Sequence, residues 1–101
     1  MSKYHAIKTE VDGVMFDSKR EAERYRELKL MQQAGVIEHL ELQAKFPVKV
    51  NGKHICNYFA DFIYTERGAP IVEDCKGMRT AAYRLKKKLV EALYEIEIKE
   101  T

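Results

Sequence analysis

The dipeptide Asn51-Gly52 is the feature that most constrains how this chain can fold. This pair favours the type I′ turn of a two-residue β-hairpin. Strand-like segments flank it on both sides, from Ile37 to Val50 and from about Lys53 to Tyr64. A second turn at Glu66-Arg67-Gly68 then leads into a third strand-like segment from Ala69 to Cys75. The sequence therefore predicts three consecutive antiparallel strands.

Two helical patterns surround this meander. Ser18-Lys19-Arg20-Glu21 fits a capping box and begins a helix that ends at Gly35, a residue suited to the position after a helix. The preceding "VDGVMF" has a strong turn signal and predicts a short hairpin or turn. A second helix follows Gly77, and the residues of its apolar stripe are Ala82, Leu85, Leu89, Ala92 and Leu93.

The end of the chain predicts a fourth strand of the same sheet. Tyr94, Ile96 and Ile98 alternate with polar residues at the strand period. Because a helix connects this strand to the third one, we expect the two to be parallel. The fold class is therefore α/β (α+β), a single domain over residues 1–101 with the order αβββαβ and a mixed four-stranded sheet flanked by helices.

Composition excludes several classes of protein but names no function. The 101 residues carry 18 basic and 16 acidic side chains, so the net charge of +2 is too small to indicate nucleic-acid binding without local clustering. Cys56 and Cys75 match no zinc-binding spacing, and we expect reduced thiols in a cytoplasmic protein. No apolar run approaches the roughly 20 residues of a membrane-spanning helix.

Hairpin arithmetic places two acids together. With two-residue loops, facing residues sum to 103 in the first hairpin and to 135 in the second, so Asp61 lies opposite Leu42 and also opposite Asp74. Lys76 points to the same face as Asp74. Glu73 points to the other face and is expected to be solvated, although a three-residue loop would place it opposite Asp61 instead.

Charged groups on an apolar face require an explanation, because an unpaired buried charge is very costly. The first helix is expected to cover this face and contributes a third acid, Glu21. Oxygen-only ligands of this kind suit Mg²⁺ or Mn²⁺. The alternatives are a buried salt bridge between Asp61 and Lys76 and a purely capping role for Glu21.

The spacing of Asp61 and Asp74-Cys75-Lys76 resembles the D…(D/E)-x-K signature of the PD-(D/E)xK nuclease superfamily, with Ala60 in place of the usual proline. The stretch "FDSKREAERYRELKLMQQAGVIEHLELQAKF" resembles the opening of a family of small phage and prophage proteins assigned to that superfamily, which is similar to Holliday-junction resolvases. A more distant similarity links Ser18, Glu21 and Gln43 to transposon end-cleaving nuclease subunits. A site role for Gln43 requires a β-bulge, since the simple register pairs it with Ala60.

The resemblance implies a Mg²⁺-dependent (or Mn²⁺-dependent) DNA endonuclease in which Asp61, Asp74 and the backbone carbonyl of Cys75 hold the metal ion. Glu21 completes the metal site or holds a metal-bound water, and Lys76 orients the attacking water or stabilises the transition state. It further implies a phage or prophage protein of the bacterial cytoplasm that cuts branched DNA such as Holliday junctions during recombination or packaging. Cutting two strands predicts a homodimer.

Basic residues near the expected site are candidates for phosphate contacts, although such clusters are often only solvated helix faces. The candidate phosphate-binding residues are Lys19, Arg20, Arg79, Arg84, Lys86, Lys87 and Lys88.

The rival interpretations are a non-catalytic DNA-binding or phage-assembly module on a nuclease fold, and a nuclease subunit active only with a partner.

Overall fold

The structure, a computed structural model, describes residues 7–75 and 79–101. Within these ranges the chain forms two helices and six strands. None of the described helices is long and apolar enough to span a membrane. In chain order the elements are β1 Thr9–Val11, β2 Val14–Phe16, α1 Lys19–Gln33, β3 Ile37–Val50, β4 Lys53–Glu66, β5 Ala69–Asp74, α2 Ala81–Tyr94 and β6 Ile98–Glu100.

The main sheet has four strands in the order β3-β4-β5-β6, and β1 and β2 form a separate hairpin. The pairs β3–β4 and β4–β5 are antiparallel, whereas β5 and β6 are parallel. The predicted fold class, strand order and parallel last strand are therefore confirmed, and the short hairpin at Asp12-Gly13 is confirmed as well.

Both predicted turns are two-residue loops in the left-handed backbone region that type I′ turns require. The φ angles are 51° at Asn51 and 78° at Gly52, and Arg67-Gly68 repeats the pattern at 53° and 78°. The β4–β5 register follows from this second loop and pairs Phe62 with Glu73, as the sum of 135 predicts.

The predicted register between β3 and β4 is wrong over most of its length. Near the turn Lys49 pairs with His54, but Val48 pairs with Cys56, so Ile55 is an extra residue that bulges from β4. The bulge keeps Val48 fully buried while the tip of the hairpin stays in solvent. Leu42 consequently lies opposite Phe62 and not opposite Asp61.

Helix α1 begins and ends where the sequence predicts. The Ser18 hydroxyl accepts a hydrogen bond of 3.1 Å from the Glu21 amide, and Gly35 follows the helix at a φ of 80°. The face that α1 covers is a correction: its buried residues pack with Phe62 and Tyr64, whose side chains point away from the Asp61 face. The apolar buried residues of the helix are Ala22, Tyr25 and Leu28, and Glu21 is buried as well.

Helix α2 is rotated away from the predicted orientation. Leu85 and Leu93 of the predicted stripe are 61% and 47% exposed. Leu89 of the stripe is partly buried, but the fully buried residue of the helix is Val90, with Tyr83 partly buried against the same core. Tyr58 stacks on Tyr83 with ring centroids 6.3 Å apart, which accounts for this rotation because aromatic rings bury much area.

The final strand is shorter than predicted. Tyr94 is the last residue of α2, and Glu95 ends the helix in the left-handed conformation at a φ of 54°. Strand β6 begins only at Ile98, which pairs with Val72 of β5. The period-two pattern predicted the strand correctly but placed its start too early.

Two apolar clusters hold the domain together, and Asp61 lies where they meet. On β4, Phe62 and Tyr64 belong to the cluster under α1. Tyr58 and Ala60, which precede Asp61, belong to the cluster with Val90 of α2. Asp61 thus lies between the two cores. The alternate residues of β4 before it pack in one core, and those after it pack in the other.

Candidate active site

Glu73 and Asp74, the adjacent acids at the end of β5, are both 0% exposed. Because successive strand residues alternate in direction, they point to opposite faces of the sheet. Each carboxylate therefore has its own environment, and each must be explained separately.

Asp61 and Asp74 are interlocked across β4 and β5. The Asp61 amide donates a hydrogen bond of 2.8 Å to Asp74 Oδ1, and the Cys75 amide donates one of 2.9 Å to Asp61 Oδ2. The arrangement keeps two acids close together at one corner of the sheet, as the predicted facing pair requires.

Gln43 connects this pair to Glu21. Its Nε2 donates to Asp61 Oδ1 at 3.3 Å and to Glu21 Oε2 at 3.4 Å. The pairs on either side of it, Leu42 with Phe62 and Ala44 with Ala60, place Gln43 opposite Asp61. A site role for Gln43 is expected to require a β-bulge. The bulge at Ile55 shifts the register by one residue and so brings Gln43 opposite Asp61.

Gln43 also has an unusual backbone conformation for a residue within a strand. Its φ is 52°, in the left-handed region that side-chain-bearing residues rarely adopt. Such conformations persist where the surroundings impose them, and they concentrate at functional sites. The strain and the two hydrogen bonds together indicate that the amide group is held in place.

Glu73 is not solvated, and this corrects the sequence prediction. Arg24 Nε donates to Glu73 Oε2 at 2.6 Å and Arg24 Nη2 donates to Oε1 at 3.0 Å. Tyr64 Oη and Thr101 Oγ1 donate the remaining hydrogen bonds, at 2.6 and 3.0 Å. Burial alone would raise the pKa of Glu73, but the Arg24 and Tyr64 hydrogen bonds outweigh it and hold the pKa below its ordinary value.

Arg24 is the residue of this cluster that sequence reasoning missed. Its place on the polar side of α1 indicated a solvated charge, and its partner lies 49 residues further along the chain. The hydrogen bond to Glu73 raises the Arg24 pKa above its already high ordinary value, against the effect of burial. Glu73 is thus engaged in a satisfied ion pair, and the register question is decided in favour of Asp74 as the partner of Asp61.

Cys75 contributes its backbone amide to the site. Its thiol lies 3.2 Å from the Thr101 hydroxyl, and burial raises the thiol pKa. Lys76 lies outside the described residues, which resume at Arg79. Its predicted role, like that of the Cys75 carbonyl, stays a prediction.

The predicted phosphate-binding residues divide into three groups: two residues on α1, two that contact Glu100, and three others on α2. Lys19 and Arg20 are exposed in the first turn of α1, next to Glu21. Arg79 and Lys87 instead contact Glu100, at 3.0 and 3.7 Å. Glu100 also accepts a 2.7 Å hydrogen bond from Tyr83 Oη, which together with Arg79 lowers the Glu100 pKa. On α2, Arg84 and Lys88 are exposed and Lys86 is half-buried.

The donor atoms of the site fit a hard divalent cation. Asp61 and Asp74 offer carboxylate oxygens only, and Mg²⁺ is commonly held by one or two carboxylates plus waters and substrate phosphates. Residues 7–75 and 79–101 contain no group of three or more His, Cys, Asp or Glu side chains placed to hold a metal ion. A magnesium site here would therefore consist of the Asp61–Asp74 pair, with Glu21 reached through Gln43.

Comparison with known proteins identifies the family. The family described as "protein of unknown function (DUF1064)" matches residues 1–101, and the chain belongs to it. No curated protein and no solved structure matches the chain.

Proposed function

We propose that this DUF1064 protein is a Mg²⁺-dependent DNA endonuclease of the PD-(D/E)xK type. The observation that carries the proposal is the interlocked Asp61–Asp74 pair, joined to Glu21 by the amide group of Gln43. Three acids within one hydrogen-bonded network is the arrangement expected of a site that receives a cation. The fold around it has the order αβββαβ expected from the resemblance.

Each residue has a separate task in this proposal. Asp61 and Asp74 would hold the metal ion, and the backbone hydrogen bonds that they accept keep both carboxylates oriented. A bound Mg²⁺ supplies charge stabilisation and an activated water for phosphodiester hydrolysis. Glu21 orients that water, and the ammonium of Lys76 stabilises negative charge developing on the phosphate.

Structure-selective cutting of branched DNA, such as a Holliday junction, is the proposed activity, within phage recombination or packaging in a bacterial cytoplasm. Cutting two strands requires two active sites, so the proposal includes a homodimer. The exposed apolar stripe of α2, with Leu85 and Leu93, supports self-association because exposed apolar patches commonly mark contact surfaces.

A cleavage assay tests the proposal directly. Labelled four-way junction, flap and linear duplex are incubated with Mg²⁺ or Mn²⁺ and wild type, Asp74→Asn or Lys76→Ala, after circular dichroism confirms that each variant folds. Glu38→Gln serves as the matched control, because Glu38 is an exposed acid on β3. We expect wild type and the control to cleave and both site variants to be inactive.

Two results would contradict the proposal. Cleavage that survives Asp74→Asn would show that the reaction occurs elsewhere or comes from a contaminant. The absence of both cleavage and a metal-induced thermal shift would favour a non-catalytic DNA-binding module, the second candidate. That candidate is favoured by the absence of a three-ligand group among the described residues. Metal binding without cleavage would indicate a subunit that needs a partner.

A further inference from the structure

The hairpin formed by β3 and β4 has an unusual distribution of charge. All 16 acidic residues of the chain lie outside residues 42–60, while this segment carries three lysines, Lys45, Lys49 and Lys53, together with His54. All four side chains are exposed. A chain of net charge +2 thus concentrates positive charge on the half of the hairpin nearest the turn.

Among the described residues, the hairpin packs into the core of the protein through one face. Phe46, Val48 and Tyr58 pack in the cluster that contains Val90 of α2, and Tyr94 Oη donates a 2.7 Å hydrogen bond to the Pro47 carbonyl. On the other face Lys45 pairs with Phe59, whose ring is 49% exposed. Facing residues share a side of the sheet, so this open face presents a lysine beside an aromatic ring.

Lys45, Lys49 and His54 share the open face and form a row that begins next to the candidate active site, whereas Lys53, which pairs with Val50, lies on the other face at the tip of the hairpin. Phe59, opposite Lys45, precedes Asp61 by two residues on β4, which is about 7 Å along a strand. Lys53 begins β4, and the same rise places it about 26 Å from Asp61. From Lys45 to Lys53 the positive charges therefore cover about 20 Å, or about six base pairs of duplex at 3.4 Å each.

We propose that the β3–β4 hairpin is a duplex-binding arm that holds the DNA on one side of the scissile bond. Lys45 and Lys49, about 13 Å apart along β3, contact phosphates about four base pairs apart, and Lys53 contacts a phosphate at the tip of the hairpin. The proximal open face lies beside the acids of the site. Two-stranded ribbons are of a size that duplex grooves accept, and phosphate contacts fix the register of a protein on DNA without reading sequence. This inference rests on the proposed nuclease function for its substrate, but DNA binding by the arm can be measured without cleavage.

The test is equilibrium binding of a labelled 24-base-pair duplex in EDTA, followed by fluorescence anisotropy at several salt concentrations. The arm variant is Lys45→Ala/Lys49→Ala/Lys53→Ala. The control, Lys8→Ala/Lys29→Ala/Lys99→Ala, makes the same change in net charge outside the hairpin. We expect the arm variant to bind at least about tenfold more weakly and to lose up to about 2.7 from the slope of log affinity against log salt, since each phosphate contact contributes about 0.9. The control should change affinity less than about threefold.

A second variant protects the test against misfolding. Lys45→Gln/Lys49→Gln/Lys53→Gln keeps the aliphatic stems and should lose the same salt dependence, while circular dichroism checks that it folds. Equal losses in the arm and control variants would overturn the arm, because net charge alone would then explain binding. The arm would equally be overturned if wild type bound no duplex, or if the arm lysines governed binding to vesicles of anionic lipid and not to DNA.

The arm and the nuclease function fail in different ways. Duplex binding that depends on the three lysines, without cleavage under any metal, would support the arm and contradict the enzyme. Metal-dependent cleavage with unaltered duplex binding in the arm variant would support the enzyme and contradict the arm. A duplex with fewer than about six base pairs on one side of the cut should lose the difference between wild type and the arm variant.

Discussion

Glu73 and Asp74 are neighbours in the chain, equally inaccessible to solvent, and chemically alike, yet their surroundings differ completely. The Glu73 carboxylate accepts two hydrogen bonds from the Arg24 guanidinium group and one each from the hydroxyls of Tyr64 and Thr101. Asp74 accepts a hydrogen bond from the Asp61 amide. Glu73 is neutralised by Arg24, whereas Asp74 belongs to the hydrogen-bonded network that contains Asp61, Gln43 and Glu21.

This difference teaches how to separate structural from functional charge in a small domain. An ion pair that satisfies every oxygen holds elements together, and here it joins α1 to β5 and to Thr101 at the end of β6. Acids held close to one another repel, and such an arrangement is unfavourable unless a cation joins it.

The largest effect is expected from exchanging the two acids for amides one at a time. Asp74→Asn should lower the rate of metal-dependent cleavage by about a thousandfold or more, since several kcal/mol of charge stabilisation are lost, while the protein stays folded. Glu73→Gln should leave the rate per folded molecule within about threefold of wild type and lower stability instead. Rates normalised to the folded fraction measure both. Equal rate losses in the two variants would remove the distinction between the two acids.

The second prediction concerns the ion pair itself. Arg24→Ala leaves a buried carboxylate without its cation, so we expect the free energy of unfolding to fall by about 3–5 kcal/mol. Denaturant titration at pH 7 measures this loss. Arg26→Ala is the matched control, because Arg26 lies on the same helix and is exposed.

A double variant sharpens this second prediction. Arg24→Met/Glu73→Gln removes both charges, keeps an acceptor for Tyr64 and should recover part of the stability lost in Arg24→Ala. A double variant no more stable than Arg24→Ala would mean that packing of the arginine stem, and not its charge, accounts for the effect.

Much of the fold could be predicted because its signals are local. Ser18 and Gly35 mark the ends of α1, and Asn51-Gly52 and Arg67-Gly68 mark the turns, so each decision depends on a few adjacent residues. The bulge at Ile55 has no such marker. It depends on Val48 and Tyr58 being buried under α2, a tertiary effect that shifts the register by one residue.

The proximity of Asp61 and Asp74 could be predicted for the same reason. The second hairpin follows the predicted sum of 135 as far as Phe62 and Glu73, and the Asp61 amide donates to Asp74 just beyond that pair. The Arg24–Glu73 pair could not be found, because nothing local connects two residues 49 positions apart. The stripe on α2 failed because helical spacing identifies an apolar face but does not say whether that face meets the sheet.

The third prediction follows from the lowered pKa of Glu73. Because the pKa is lower in the folded protein than the ordinary value of about 4.3, the stabilisation is fully present above that value and is lost as the pH falls through the folded pKa. The difference in unfolding free energy between wild type and Glu73→Gln should therefore be largest near neutral pH and shrink in acid. Denaturant titrations of both proteins between pH 3 and pH 7 test this, and a difference that stays constant would contradict a lowered pKa.

The smallest effect is expected at Gln43, where one amide group joins two acids. Gln43→Ala removes two long hydrogen bonds to Glu21 and Asp61, worth about 1 kcal/mol together, so the apparent affinity for Mg²⁺ should fall by about fivefold. Gln43→Asn is too short to reach both acids and should behave similarly, whereas Gln33→Ala, at an exposed position late in α1, should change nothing. Calorimetric Mg²⁺ titration separates this positioning role from a structural one, because a variant that merely weakens the fold would change the thermal midpoint and not the affinity of the folded protein. An unchanged affinity in both Gln43 variants would mean that the backbone hydrogen bonds of Asp61 and Asp74 suffice to arrange the acids, and that the left-handed conformation of Gln43 arises from the strand and not from the site.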